Sequence, residues 1–85
     1  MNDSDLEQCL GAIKVNGRFR EACLIHTFAA FADSGDEVTI RVCDFGPISE
    51  PARYYASLID QNGKESQSAR GDTMVSALGM LPLEI

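Results

Sequence analysis

The chain is 85 residues long, 45% hydrophobic and 24% charged, a composition that fits one folded domain with one core and excludes a disordered segment. Seven Lys and Arg stand against thirteen Asp and Glu, for a formal net charge of −6, which excludes long-range attraction to phosphate backbones or anionic membranes as the driving force of binding. Three cysteines without a Cys-x-x-Cys pair do not make a disulfide scaffold, and with one histidine they make a poor zinc set.

The start, Met1-Asn2-Asp3-Ser4-Asp5, is acidic and lacks the basic, apolar character of a signal peptide. No apolar stretch approaches the about 18 residues of a membrane span, so the expectation is a cytoplasmic protein. Asp3, Ser4 or Asp5 can cap a first helix with Leu6, Leu10 and Ile13 on one face. Asn16-Gly17 interrupts it. A type I′ hairpin at Asn16-Gly17 is the alternative, but Lys14 would face Phe19 without clean alternation. A second helix is predicted from Arg18 to Ala32, because Leu24, Phe28 and Phe31 recur at helical spacing among small alanines. Asp33-Ser34-Gly35-Asp36 reads as its stop.

Val38, Ile40 and Val42 alternate with Thr39, Arg41 and Cys43, the pattern of a half-buried strand. Gly46-Pro47 ends it, and Pro51 precedes a second strand over Arg53–Ile59. Asn62-Gly63 is a strong hairpin signal. The returning strand from Glu65 to Ala69 is polar, as suits a protected sheet edge. Asp72 or Thr73 caps a last helix carrying Met74, Leu78 and Leu81 on one face, and Pro82 stops it. The expected fold is α+β: two N-terminal helices, a three-stranded antiparallel meander and a C-terminal helix (ααβββα), in a single domain over 1–85.

Few residues point to catalysis. His26 is the lone histidine, set among apolar neighbours without a nucleophile motif. Asp44, Asp60 and Asp72 fall at strand ends and a helix start, where turns and caps already explain them. No glycine-rich phosphate loop is present, so the reading is a non-enzyme without cofactor or metal. Arg70-Gly71-Asp72 spells an integrin tripeptide, which a strand-to-helix junction explains without adhesion. Tyr54-Tyr55 is the more informative pair. Alternation sends the rings to opposite faces, so one is available to anchor a protein or stack on a base. Arg53 and Arg70 would rim it.

The stretch from Arg53 to Leu81 is a strand, Asn-Gly turn, strand and helix, with Ala69-Arg70-Gly71-Asp72-Thr73 leading to Ala77-Leu78. It resembles the end of the small sheet in HicB-type antitoxins, over about a third of the chain, through a junction chemistry that many strand-to-helix turns share. The resemblance implies a three-stranded sheet backed by a helix. The chain departs from that family in its helix-like N-terminal half, and in Met74, Val75 and Ser76 where an acidic run is usual, so no function is carried over. The order αβββα is also similar to double-stranded RNA-binding domains, but Asp72 and Thr73 stand where those have a Lys pair. As a small acidic α+β domain the chain also resembles phage and mobile-element accessory proteins, anti-CRISPR inhibitors among them.

The expected function is therefore a non-catalytic module, an inhibitor that binds a protein partner with a basic surface on a nucleic-acid-handling complex. Its predicted anchors are Tyr54, Tyr55, Arg53, Asp44, Glu50 and Asp60. Direct nucleic-acid binding through an exposed Tyr with Arg53 and Arg70 is the alternative. A homodimer through a free edge at Val38–Cys43 is a further expectation.

Overall fold

The computed structural model describes residues 1–60 and 62–81. One helix, α1 (Asp3–Gly17), precedes four strands, β1 (Leu24–Phe31), β2 (Glu37–Asp44), β3 (Tyr54–Ile59) and β4 (Glu65–Gly71), and a second helix, α2 (Met74–Met80), follows them. The strands form one antiparallel sheet in the order β1-β2-β3-β4. A 3-10 turn, Pro47–Ser49, lies between β2 and β3.

Two expectations are corrected. Arg18–Ala32 is not a helix; most of it is β1. Its Leu24-Phe28-Phe31 spacing is helical, but Ile25, Thr27, Phe28 and Phe31 are β-branched or aromatic, and such residues suit a pleated surface. Asp33–Asp36 is accordingly a hairpin turn. Gly35 takes a positive φ of 91° there, and Ala32 N–H donates to the Asp36 carbonyl at 2.9 Å. The sheet therefore has four strands instead of three. Asn16-Gly17 is neither a hairpin nor a break. α1 runs through it and ends at Arg18, which adopts the left-handed conformation (φ 57°) that turns the chain out of the helix.

The hydrophobic core lies on one sheet face. Ile40, Val42 and Ala56 are buried there against Ala77 and Leu81 of the α2 region, with Tyr54, Leu58, Ala69 and Met74 around them. Gly71 allows this close approach, because a Cβ there would lie 2.6 Å from the Ala77 amide nitrogen. Thr73 caps α2: its side chain accepts from Ser76 N–H, while the Ser76 hydroxyl accepts from Thr73 N–H. The expected stop at Pro82 lies outside the described residues. α1 buries Leu6 and Leu10, and Leu10 and Glu7 close over Gly46 in the β2–β3 connection. Burying each leucine contributes roughly 1.5–3 kcal/mol. Ile13 and Val15, further along α1, are exposed. None of the described helices is long and apolar enough to cross a membrane.

Candidate functional site

Two constellations are built around the sequence-predicted residues, on opposite faces of the sheet. The first lies on the core face, where β2 ends and β3 begins. Register pairs Asp44 with Tyr54, and Arg53 reaches across to both. Its guanidinium binds Asp44 through Nε–Oδ1 (2.7 Å) and Nη2–Oδ2 (3.1 Å). It binds Asp3 of α1 through Nη2–Oδ1 (2.9 Å) and Nη1–Oδ2 (3.2 Å). It also stacks 4.9 Å from the Tyr54 ring centroid. Glu50 is at 3.9 Å.

Burial alone would raise the Asp44 carboxyl. The Arg53 hydrogen bonds, with the Gly46 N–H at 2.9 Å, outweigh burial and hold it below the ordinary carboxylate value. The Arg53 hydrogen bond lowers Asp3 in the same direction, and its two carboxylate partners hold Arg53 more firmly protonated. Tyr54 is raised, first by burial and then by the Asp44 charge. Asp44 and Arg53 are 4% and 7% exposed, which leaves a partner little to touch. This cluster fastens α1 to the sheet.

The second constellation lies on the other face. Pairing aligns Ile25, Cys43, Tyr55 and Arg70 in one row across all four strands. The Arg70 guanidinium lies 5.2 Å from the Tyr55 ring and 5.7 Å from the Phe45 ring, and Nη1 donates to the Ala52 carbonyl at 3.4 Å. Tyr55 Oη donates to Glu65 Oε1 at 2.5 Å. An open pocket of about 600 Å³ adjoins the stack, lined by Glu21, Phe45, Ser49, Ala52 and Arg70. On this face β1 lies open, with Ile25 and Phe31 51% and 71% exposed, while Ser57 of β3 is buried among the strands.

The six predicted anchors thus divide. Asp44, Arg53, Tyr54 and Glu50 share the first cluster, and Tyr55 alone belongs to the second. Asp60 stands at the far end of β3, where its Oδ1 accepts from Asn62 N–H and Lys64 N–H, both at 2.9 Å, and organises the hairpin turn. Arg53 and Arg70 lie on opposite faces and do not form one basic rim. Sequence reasoning missed Phe45 and Ile25. Their signal was parity: counting outward from the Ser34-Gly35 and Asn62-Gly63 turns places both on the Tyr55 face.

Among the described residues, no three His, Cys, Asp or Glu side chains converge on a point where they could hold a metal. No protein-family model, no curated protein and no solved structure matches the chain.

Proposed function

We propose that this chain is a non-catalytic protein-binding module whose contact surface is the uncovered sheet face around Tyr55. The observation that supports this most is the row Ile25–Cys43–Tyr55–Arg70, with Phe45 stacked beneath Arg70 next to an open pocket. Aromatic and arginine side chains gathered beside a concavity are the usual anchors of protein interfaces. The acidic groups Glu21, Glu37, Glu50 and Glu65 are exposed, and the net charge is −6. That balance favours a partner with a basic surface, such as a nucleic-acid-handling complex presents. Inhibition of such a complex, in the manner of an anti-CRISPR protein, is the narrower form of this reading. Direct nucleic-acid binding has less support, because Arg53 is enclosed by two carboxylates.

Affinity capture from nuclease-treated and untreated lysate of the source cells tests the reading, using wild type, Tyr55→Ala and Arg70→Glu. The expected result is a basic protein that survives nuclease and is lost with both variants, while their melting curves stay cooperative. Captured nucleic acid in place of protein, or a protein indifferent to both substitutions, overturns it.

A further inference from the structure

The two edges of the sheet are unlike. β4 is the sequence Glu65-Ser66-Gln67-Ser68-Ala69-Arg70-Gly71, with a register shift against β3 at Leu58/Ile59; charge and irregularity of this kind discourage further pairing. β1, at the other edge, is Leu24-Ile25-His26-Thr27-Phe28-Ala29-Ala30-Phe31. It has no Asp, Glu, Lys, Arg or Pro and pairs with β2 over all eight residues without a shift. Three of its large apolar side chains are exposed, Ile25 at 51%, Phe28 at 43% and Phe31 at 71%. The predicted free edge at Val38–Cys43 does not exist, since that strand is β2 and is paired on both sides.

The ladder fixes which backbone groups of β1 face outward. Ala32 N–H bonds the Asp36 carbonyl, and this pair continues the β1–β2 register. Directly hydrogen-bonded pairs alternate with non-bonded pairs along an antiparallel ladder. Leu24, His26, Phe28 and Ala30 therefore turn their N–H and C=O groups toward β2. Ile25, Thr27, Ala29 and Phe31 aim theirs at the open edge. Phe45 N–H bonding the Arg53 carbonyl shows the same alternation on the other side of β2.

We infer that β1 pairs antiparallel with β1 of a second copy of this chain, about a two-fold axis at Phe28, and so forms one continuous eight-stranded sheet. In that register Ile25 faces Phe31 of the second copy and Thr27 faces its Ala29. All four outward-facing residues of each copy then lie in hydrogen-bonded pairs. A shift of two residues either way leaves Ile25 or Phe31 unpaired. Phe28 meets its own copy on the core face at the closely spaced, non-bonded position. Ile25 against Phe31 makes a β-branched–aromatic pair on the opposite face. The uncharged strand sets no like charges opposite each other, although each chain carries −6. The strand is about 27 Å long, a short contact that belongs at the small end of specific interfaces. The dimer is accordingly a weak one that tightens as salt screens the two net charges.

This inference does not depend on the partner reading, since Tyr55→Ala and Arg70→Glu leave β1 intact. Sedimentation velocity over about 1–500 μM, the range a small interface requires, tests it on the full chain. Wild type should pass from monomer to dimer, and more readily at higher salt. Thr27→Pro removes an outward N–H, and therefore two hydrogen bonds per dimer, so it should weaken association about tenfold or more. Thr27→Glu, at an exposed side chain, should do the same by adding to the negative charge of each copy at the seam while the thermal melt stays cooperative. Mild oxidation of Phe28→Cys should join two copies, with the two introduced thiols linked to each other in the peptide map. A wild type that stays monomeric throughout overturns the inference. So does a dimer unaffected by both Thr27 variants, or one in which the thiol introduced by Phe28→Cys links only to the native cysteines.

Discussion

Arg53 and Asp44 are held by two nearly parallel hydrogen bonds, Nε–Oδ1 at 2.7 Å and Nη2–Oδ2 at 3.1 Å, with both residues almost wholly buried. Removing one partner strands the other charge away from water, whereas replacing both with apolar groups does not. Arg53→Met should therefore destabilise the fold by about 3 kcal/mol in urea unfolding. The double variant Arg53→Met/Asp44→Leu should recover part of that loss. Asp3→Asn should act locally, raising amide exchange in α1 with a much smaller change in global stability, because Asp3 joins the cluster from the solvent side. Equal global losses for Arg53→Met and Asp3→Asn would contradict this division of roles.

The same cluster sets an acid limit on the fold. The folded-state pKa of Asp44 lies below its ordinary value of 3.8, so the unfolded chain binds more protons as pH falls toward and below that value. The stabilisation from Asp44 is complete above about pH 5, begins to fall as pH approaches 3.8, and is lost as pH drops through the lower folded value. Asp3 is shifted in the same direction. Stability measured by urea at a series of pH values should be level through the mildly acidic range and then fall steeply. In Asp44→Asn the curve should start lower and fall less. A wild-type curve that already declines at about pH 6 would mean that other groups govern acid stability.

Much of this architecture was legible from residue order. Val38–Val42 alternates strictly, Asn62-Gly63 closes a hairpin, and Asp72 or Thr73 offers a cap. The corresponding strands and α2 stand where those signals put them. β1 reads as a helix in the sequence because its residues satisfy two periods at once. Leu24, Phe28 and Phe31 fit a helix, while Ile25, Thr27, Ala29 and Phe31 fit one face of a strand. Tertiary pairing with β2 decides between the periods, and it is not local information. Without β1, the row through Ile25 and Cys43 cannot be drawn, and β2 appears to be an edge. The enclosure of Arg53 was equally hidden, since Asp3 lies fifty residues away in sequence.

The packing of α2 on β4 depends on the missing side chain at Gly71. A Cβ there would press on the Ser76 hydroxyl and on the Ala77 backbone, 2.6 Å from its nitrogen and 3.0 Å from its Cα. Backbone cannot rotate aside as a side chain can, so α2 would have to move off the sheet. Gly71→Ala should cost about 1–3 kcal/mol, as overpacking does. Gly79 provides the control within the same helix. It has open space at its Cβ position, and Gly79→Ala should stabilise the protein by up to about 1 kcal/mol through helix propensity. Opposite signs in paired thermal melts are the expected outcome, and a neutral Gly71→Ala would show that the α2–β4 contact is looser than its geometry.

Two of the three thiols, Cys9 and Cys23, should react in a defined order. Cys9 is exposed on α1, while Cys23 and Cys43 are half-buried. Burial first, and then the adjacent Cys43 thiol, push the Cys23 pKa up to about 11. Since the thiolate is the nucleophile, only about one Cys23 in a thousand is reactive at about pH 8. Alkylation with iodoacetamide, followed by peptide mass spectrometry over time, should label Cys9 first and Cys23 more than about tenfold later. Raising the pH from about 8 to about 9.5 should accelerate Cys23 by nearly the full increase in hydroxide concentration, because its thiol remains far from half-ionised across that range. If Cys23 instead reacts as fast as Cys9 at the lower pH, its surroundings just ahead of β1 are neither as dry nor as close to Cys43 as the structure makes them.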